Sequence, residues 1–187
     1  MRVKDFSDIS IGYAFRERLA NILDGEVKVI QPKNITPEGF VFREDEPLQT
    51  NVPVSKPLQP DDVLVVNRGR FAAAVFDLSA SDTWITPSSV LVLSITDQSI
   101  LPAYAALYFN SAKGQRMFKR HMEQTTVPFV SAKNLGDMDI PIPPLPRQRS
   151  LIAFEKAATK YARLSNRKQE LLKRILNSKL RIENYLP

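Results

Sequence analysis

The segment that decides the architecture reads MDIPIPPLPRQRSLIAFEKAATKYARLSNRKQELLKRILNSKLRIENY, from Met138 to Tyr185. Four prolines stand between Pro141 and Pro146, and about forty residues then follow without a proline or a glycine. A residue before a proline is pushed into extended backbone, so the proline run predicts a stiff extended connector. Pro146 suits the first turn of a helix, where its missing N–H has no intrahelical partner. The sequence therefore predicts a rigid connector followed by one long helix.

The predicted helix runs from Pro146 to Glu183, a length of about 57 Å at about 1.5 Å per residue. It carries a heptad-like apolar stripe that two polar residues interrupt near its middle. The stripe consists of Leu151, Phe154, Ala158, Tyr161, Ser165, Lys168, Leu172, Ile175 and Ile182, widened by Leu164, Leu171 and Leu176. Because such a helix is longer than a domain of this size is wide, the stripe predicts a partner helix. The alternative is a helix that folds back over a sheet.

Residues 1–145 are predicted to form a β-rich domain, which places the whole chain in the α+β class. Five segments rich in Val, Ile and Phe and bounded by turn residues predict strands. They cover residues 26–31, 39–44, 62–69, 70–78 and 88–95. The NRGR sequence between the third and fourth segments predicts a tight hairpin with Gly69 at positive φ. Two short helices are predicted over 102–112 and 113–122, followed by a turn at 131–135 and a final strand. The predicted domains are therefore 1–145 and a spacer helix over 146–187.

Charge is distributed unevenly along the chain, although its net charge is +6. Residues 147–187 carry eleven Lys and Arg residues against three Glu residues, which leaves a net charge of −2 on residues 1–146. Overall basicity therefore does not by itself indicate that the domain binds nucleic acid. Cysteine is absent, which excludes disulfides and thiolate metal sites. No apolar run reaches signal-peptide or membrane-spanning length, so we expect a cytoplasmic protein without membrane contact.

Residue types that support catalysis are scarce in this sequence. The single His121 follows Lys119 and Arg120, a setting that favours a solvated or phosphate-facing residue over a metal ligand or general base. No phosphate-binding glycine loop, metal-ligand cluster or nucleophile elbow is present. The adjacent acids at 61 and 62 are expected in a turn, and Trp84 is expected in the core or a hairpin. We therefore predict a protein that is not an enzyme.

Several polar clusters are better candidates for contacts with DNA. Arg and Asn side chains can form paired hydrogen bonds with guanine and adenine edges, and Lys and Thr suit phosphates. The candidate residues are Lys33, Asn34, Arg68, Arg70, Lys113, Arg116, Lys119, Arg120, Thr125, Thr126, Lys133 and Asn134. For each cluster the alternative interpretation is ordinary solvated charge.

The stretch from Leu101 to Ile152 resembles the end of a target-recognition domain from the specificity subunits of type I restriction–modification systems. In that family a Tyr-containing helix ends in Asn-Ser, and Gly-Gln, a Thr-rich segment and a Ser-x-x-x-Leu turn follow. An IPIPPL…Q bracket then opens a long helix. All of these features are present here, with Gln148 at the Gln of the bracket. DDVLVVNRGRF and GYAFRERL…VKVIQPKNI are similar to earlier strands of the family. Because its specificity subunits usually carry two domain-plus-helix units, this chain resembles a half-subunit.

The resemblance implies that the chain recognises duplex DNA and that its helix binds a DNA methyltransferase subunit. A restriction subunit with nuclease and translocase activity is a further implied partner. S-adenosylmethionine and ATP are then expected on those partners, and no cofactor or metal is expected on this chain. A lone amphipathic helix predicts a homodimer, and the resemblance implies that its two helices run antiparallel. The alternative is that the helix pairs only with a partner subunit. The rival interpretation is a structural or regulatory module that pairs through its helix and binds no DNA, which the charge of −2 favours.

Overall fold

The computed structural model describes residues 1–17, 19, 21–43, 46–78, 81–123 and 125–183, with the backbone alone for 179–183. The chain divides into two compact units, Met1–Arg149 and a second that begins at Ser150. Strands and short helices build the first unit, and the second consists of one long helix. The predicted α+β class is confirmed.

The elements follow one another in a simple order along the chain. The strands are β1 (Ser7–Ile11), β2 (Val27–Val29), β3 (Ile35–Thr36), β4 (Gly39–Phe40), β5 (Leu48–Thr50), β6 (Val63–Val66), β7 (Ala73–Val75), β8 (Thr83–Ile85) and β9 (Val90–Ile95). The helices are α1 (Pro102–Asn110), α2 (Ala112–His121), α3 (Ala132–Gly136) and α4 (Leu145–Glu183), and short 3-10 helices cover Val3–Asp5 and Pro32–Asn34.

The largest sheet is antiparallel and has the strand order β1-β9-β6-β7. Its strand β6 reads Val-Leu-Val-Val, and all four residues are buried because the strand lies inside the sheet. The β6–β7 connection is the predicted hairpin, and Gly69 adopts a φ of 68°, as expected for a tight turn. The turn of this hairpin carries the candidate residues Arg68 and Arg70.

A second sheet has the order β5-β2-β8, in which β2 pairs antiparallel with β5 and parallel with β8. Strands β3 and β4 form a separate two-stranded hairpin. A hydrophobic cluster that contains Ile30, Leu64, Phe76 and Trp84 draws on residues of all three sheets. The rings of Phe76 and Trp84 meet edge to face at 6.2 Å, so the expected core position of Trp84 is confirmed.

Several predicted boundaries were wrong, each for a local reason. The predicted strands are longer than those observed, and β1, β3, β5 and β8 were not predicted. The turn expected at 131–135 is helix α3, which begins because the Ser131 hydroxyl accepts a hydrogen bond from the Asn134 N–H at 3.2 Å. The expected final strand is reduced to one bridge between Asp139 and Arg2, because the prolines that follow cannot donate ladder hydrogen bonds.

Helix α4 begins at Leu145, one residue before the predicted start, and residues 141–144 have no regular secondary structure. Large apolar side chains are exposed along it, including Phe154 at 73% and Tyr161 at 76%. Leu164, Leu171, Leu172, Ile175 and Leu176 are also exposed. The side chain of Ile182 lies outside the described residues. In the part of the chain that the structure describes, no helix combines the length and apolar character that a membrane crossing requires.

Candidate nucleic-acid interface

The turn between β6 and β7 is held against the segment that precedes α3. The Asn67 carbonyl accepts a hydrogen bond from the Val130 N–H at 2.9 Å, and Arg68 forms an isolated β-bridge with Phe129. The Arg68 guanidinium also lies over the Phe129 ring, 5.2 Å from its centre. Phe129 also lies against Glu123, because the Glu123 N–H donates to the Phe129 carbonyl at 2.8 Å. The predicted candidates Arg68 and Arg70 and those at 125–126 therefore lie on neighbouring segments of the first unit.

Helix α2 presents a buried side and a basic side. Phe118 is fully buried, and its ring stacks on Phe71 of the β6–β7 turn at a centroid distance of 4.9 Å and an interplanar angle of 4°. Gly114 is also buried, and a Cβ there would lie 2.2 Å from the Tyr108 carbonyl oxygen, so only glycine fits. The exposed side carries Lys113, Arg116, Lys119 and Arg120. Ring stacking and the glycine contact thus fix which face of α2 the four cations occupy.

Two amide side chains connect the helices to strand β7 and its preceding turn. Asn110, the last residue of α1, accepts from the Ala73 N–H at 2.9 Å and donates to the Ala73 carbonyl at 2.8 Å, so it pairs with the strand as a neighbouring backbone would. Gln115 donates to the carbonyls of Phe71 at 3.2 Å and Phe109 at 2.9 Å. The Asn-Ser and Gly-Gln features on which the family resemblance rested therefore stabilise the architecture.

The proline bracket is fixed by a buried glutamine. Gln148 is fully buried; its Oε1 accepts from the Leu101 N–H at 2.9 Å, and its Nε2 donates to the carbonyls of Ser99 at 2.7 Å and Pro143 at 2.8 Å. The Tyr104 hydroxyl donates to the Pro141 carbonyl at 2.7 Å. Burial raises the pKa of the Tyr104 phenol above its ordinary value, so the group stays a donor. Both residues connect the start of α4 to α1.

The structure places most of the predicted DNA contacts on the surface. The exposed candidates are Lys33, Arg68, Arg70, Lys113, Arg116, Lys119, Arg120, Thr125, Thr126 and Lys133. Asn134 is half-buried, and its Nδ2 donates to the His121 carbonyl at 2.9 Å. His121 is half-buried as well, with its Nδ1 atom 3.0 Å from the Met117 carbonyl oxygen.

Asn34 is a correction, because its side chain is not available to DNA. The residue is 1% exposed, and its Oδ1 accepts from the Gln31 N–H at 2.9 Å. Its Nδ2 donates to the Val41 carbonyl at 2.9 Å and to a carboxylate oxygen of Glu46 at 2.6 Å. Asn34 thus organises the loop that carries Lys33 rather than contacting a ligand.

Lys33 is exposed but forms an ion pair with the Glu46 carboxylate. The hydrogen bond from its ammonium group lowers the pKa of the Glu46 carboxyl below its ordinary value, and the Arg43 N–H and Asn34 amide act in the same direction. A DNA phosphate near Lys33 would therefore compete with Glu46 for the ammonium group.

The two adjacent acids predicted in a turn lie before β6. Asp61 has a positive φ of 69°, and buried Asp62 accepts a hydrogen bond from the Gln59 N–H at 2.8 Å.

Sequence reasoning missed one residue, Glu38. It belongs to the turn between β3 and β4, which faces the β6–β7 turn across an open cleft of about 380 Å³. The cleft is lined by residues 36–38, by Arg70 and Phe71, and by the two anchoring amides Asn110 and Gln115. The only signal in the sequence was the turn-forming TPEG stretch, and an argument from positive charge passes over an acidic residue.

Comparison with known proteins identifies the fold. No protein-family model matches the chain, and no curated protein matches it. It is similar to a chain from a structure of the type I R-M system, with a TM-score of 0.69 and 20% identity over 91% of this chain and 40% of that one. It is also similar to the HsdS subunit from Thermoanaerobacter tengcongensis, with a TM-score of 0.66 and 19% identity over 90% of this chain and 39% of that subunit.

A third similar structure is the type I restriction-modification S subunit from M. genitalium, with a TM-score of 0.54 and 16% identity over 98% of this chain and 43% of that subunit. The chain thus spans about two fifths of the length of these structures. The fold that the sequence resemblance implied, one domain and one long helix of a specificity subunit, is confirmed.

Proposed function

We propose that this chain is a specificity component of a type I restriction–modification complex and recognises one half of a bipartite DNA site. The observation that supports this most is that the likeness to such structures covers 91% of the chain, and so includes both the domain and the helix. The fold alone does not specify a ligand. The exposed cations of the first unit supply the second line of support.

The proposed DNA interface consists of the β6–β7 turn, the exposed side of α2, residues 125–130 and α3. Among the residues that the structure describes, the cations at 68, 70, 113, 116, 119, 120 and 133 form no ion pair. Cations without an acidic partner can contact phosphates without first breaking an internal contact. The net charge of −2 on residues 1–146 is then compatible with DNA binding, because the positive charge is concentrated locally.

Catalysis is assigned to the partners in this proposal. A DNA methyltransferase subunit supplies methyl transfer with S-adenosylmethionine, and a restriction subunit supplies ATP-dependent cleavage. This chain positions them on DNA and takes no cofactor. With S-adenosylmethionine alone, the purified chain is expected to leave DNA unmethylated.

The exposed apolar stripe of α4 supports a homodimer, and the resemblance to specificity subunits, in which two helices separate two recognition domains, favours antiparallel helices. Phe154 is 73% exposed and Tyr161 is 76% exposed. Burial of this apolar surface against a second helix removes it from water and therefore lowers the free energy. A two-fold axis then presents two identical domains to inverted half-sites.

The rival function, a module that pairs through its helix and binds no DNA, is favoured by the −2 charge of residues 1–146. Titration of a labelled duplex at several salt concentrations separates the two. DNA binding predicts that affinity falls as salt rises, with a slope of about −0.9 per neutralised phosphate. Replacing Arg70, Arg116 and Arg120 together by Ala is expected to weaken binding and to reduce that slope. Unchanged affinity in the triple variant contradicts the proposed interface, and absence of any salt-dependent binding favours the rival.

A further inference from the structure

Two turns of opposite charge lie on either side of the open cleft at the candidate interface. The β3–β4 turn carries Glu38, and the β6–β7 turn carries Arg70. Both side chains are exposed. Within the described part of the chain no ion pair joins them, although both residues line the cleft. The arrangement leaves one strong donor and one strong acceptor free at the same place.

The two turns are held by contacts that do not involve either charge. In the first, the Thr36 hydroxyl donates to the Gly39 carbonyl at 3.0 Å, and Gly39 adopts a φ of 121° that glycine accepts readily. In the second, the stacked ring and the amide of α2 described above fix Phe71, the neighbour of Arg70. Strands β3 and β4 both contact β7, which ties the turns to one sheet. Such support lets side chains at the tips recognise a ligand without first ordering the backbone.

The Arg70 guanidinium is only weakly engaged by the protein. Its hydrogen bond within the described residues runs from Nη2 to the Ile35 carbonyl at 3.4 Å, near the upper limit for such a bond. The remaining N–H groups form a planar fork that fits two acceptors at once. The Glu38 carboxylate is an acceptor, and on a surface that approaches DNA it is repelled by the phosphates. A favourable bond to a base donor offsets that repulsion.

We propose that Arg70 and Glu38 together read one G·C base pair in each half-site. In the major groove guanine offers O6 and N7, which accept the two N–H bonds of an arginine fork, and its paired cytosine offers the N4 amino group, which donates to a carboxylate. The three groups lie side by side on the edge of a single base pair. This inference rests on the proposed function and adds the base identity and the residue pair that selects it.

The test is enrichment of a randomised duplex library on the full chain, with sequencing of the retained DNA. Arg70→Lys keeps the positive charge but loses the fork, and Glu38→Gln keeps the size but loses the charge. Each is expected to reduce the preference for G·C at one shared position of each half-site by about tenfold to a hundredfold. Glu38→Gln is further expected to bind unselected DNA at least as well as wild type, since a repulsion of phosphates is removed. Thermal unfolding of each variant controls for the fold.

The outcomes separate this inference from the function on which it rests. If both variants retain every wild-type preference, or lose preference uniformly at all positions, the assignment of Arg70 and Glu38 is overturned while the proposed function stands. If the wild-type chain enriches no sequence, the proposed function fails and the base-pair assignment falls with it. Lys119→Ala serves as the matched control, because a phosphate contact is expected to weaken all sequences equally.

Discussion

Gln148 and Phe154 lie six residues apart in the same helix and reverse the usual relation between polarity and burial. The glutamine is fully buried, whereas the phenylalanine is 73% exposed. At Gln148 the surrounding backbone requires polar partners, because the chain at Leu101, Ser99 and Pro143 offers one N–H and two carbonyls to its amide. A buried backbone group without a partner costs about 1–3 kcal/mol, so an apolar side chain there is disfavoured.

From Phe154 onward, the helix carries apolar side chains that are exposed instead of a polar side chain that is buried. Exposed apolar side chains recur through Ile175 and Leu176, which gives a continuous stripe over several turns. Scattered exposed apolar residues need no explanation, but a contiguous stripe indicates a surface that binds another protein. The first turns of α4 therefore belong to the domain, and the later turns are suited to a partner.

The largest expected effect follows from placing charge on that later section. Replacing Leu172 and Ile175 by Asp affects four side chains in a dimer, each of which contributes about 1.5–3 kcal/mol on burial. The dimer constant is therefore expected to weaken by more than a thousandfold. Light scattering at tens of micromolar is expected to report a dimer for wild type and a monomer for the variant.

The matched control places the same charges outside the stripe. Asn166 and Asn177 are exposed on another face of α4, and their replacement by Asp is expected to leave the dimer intact. A wild-type chain that is monomeric under these conditions and also selects a DNA site without inverted symmetry contradicts the homodimer.

The second prediction concerns the buried amide of Gln148. Gln148→Ala removes three hydrogen bonds and leaves three backbone groups without partners, so we expect the free energy of unfolding to fall by about 3–5 kcal/mol. Denaturant unfolding of the first unit measures this loss. Gln169→Ala, an exposed glutamine in the same helix, is expected to change it by less than about 0.5 kcal/mol. Equal effects in the two variants would show that the buried amide has no special role.

The parts of the fold that local interactions determine could be predicted from sequence, and the parts that depend on distant residues could not. The helix start and the hairpin at Gly69 follow from proline and glycine chemistry, which acts locally and leaves a clear pattern. Strand β1 was missed because its partner β9 lies far along the chain, with Ile9 paired to Leu93. Strands β5 and β8 have three residues each, too few for an alternating pattern to stand out.

The candidate site was predicted unevenly for a related reason. Cations were placed correctly on the surface because burying a charge is costly whatever the fold. An amide can be satisfied by solvent, by DNA or by backbone, and only the tertiary structure decides which. Asn34 was therefore taken for a DNA contact, although its amide is bonded within the loop. Glu38 was not a predicted site residue, because nothing in the sequence indicates that it lines a cleft together with Arg70.

The third prediction tests whether the exposed cations act as a group on phosphates. Replacing Lys119 and Arg120 by Ala is expected to weaken binding to all duplex sequences by the same factor and to reduce the salt slope by about two. Duplex titrations at several salt concentrations provide both quantities. Replacing Lys56 and Arg16, an exposed lysine and an exposed arginine outside the candidate set, removes the same charge and is expected to leave the slope unchanged. Equal slopes for the two double variants would place DNA elsewhere on the domain.

The smallest expected effect comes from a second buried polar group, the Glu46 carboxylate. Its side chain is only 1% exposed and accepts hydrogen bonds from the Asn34 amide at 2.6 Å and the Arg43 N–H at 3.1 Å, besides the ion pair with Lys33. These donors lower the pKa of the carboxyl below its ordinary value of 4.5. A group whose pKa is lower in the folded state stabilises the fold above the unfolded pKa, and this contribution is lost as pH falls through the folded pKa. The free energy of unfolding is therefore expected to decrease as pH is lowered from about 5.

Glu46→Gln separates this contribution from general acid effects. All three partners of the carboxylate are donors, and an amide offers only one acceptor atom, so the variant is expected to be less stable than wild type at pH 7. It is also expected to lose part of the acid-dependent decrease, because the titrating group is gone. Glu26→Gln, at an exposed position, is expected to follow the wild-type curve. If Glu46→Gln follows that curve as well, the loop that carries Lys33 does not depend on its buried carboxylate, and Lys33 is then freer to contact phosphate than its ion pair with Glu46 indicates.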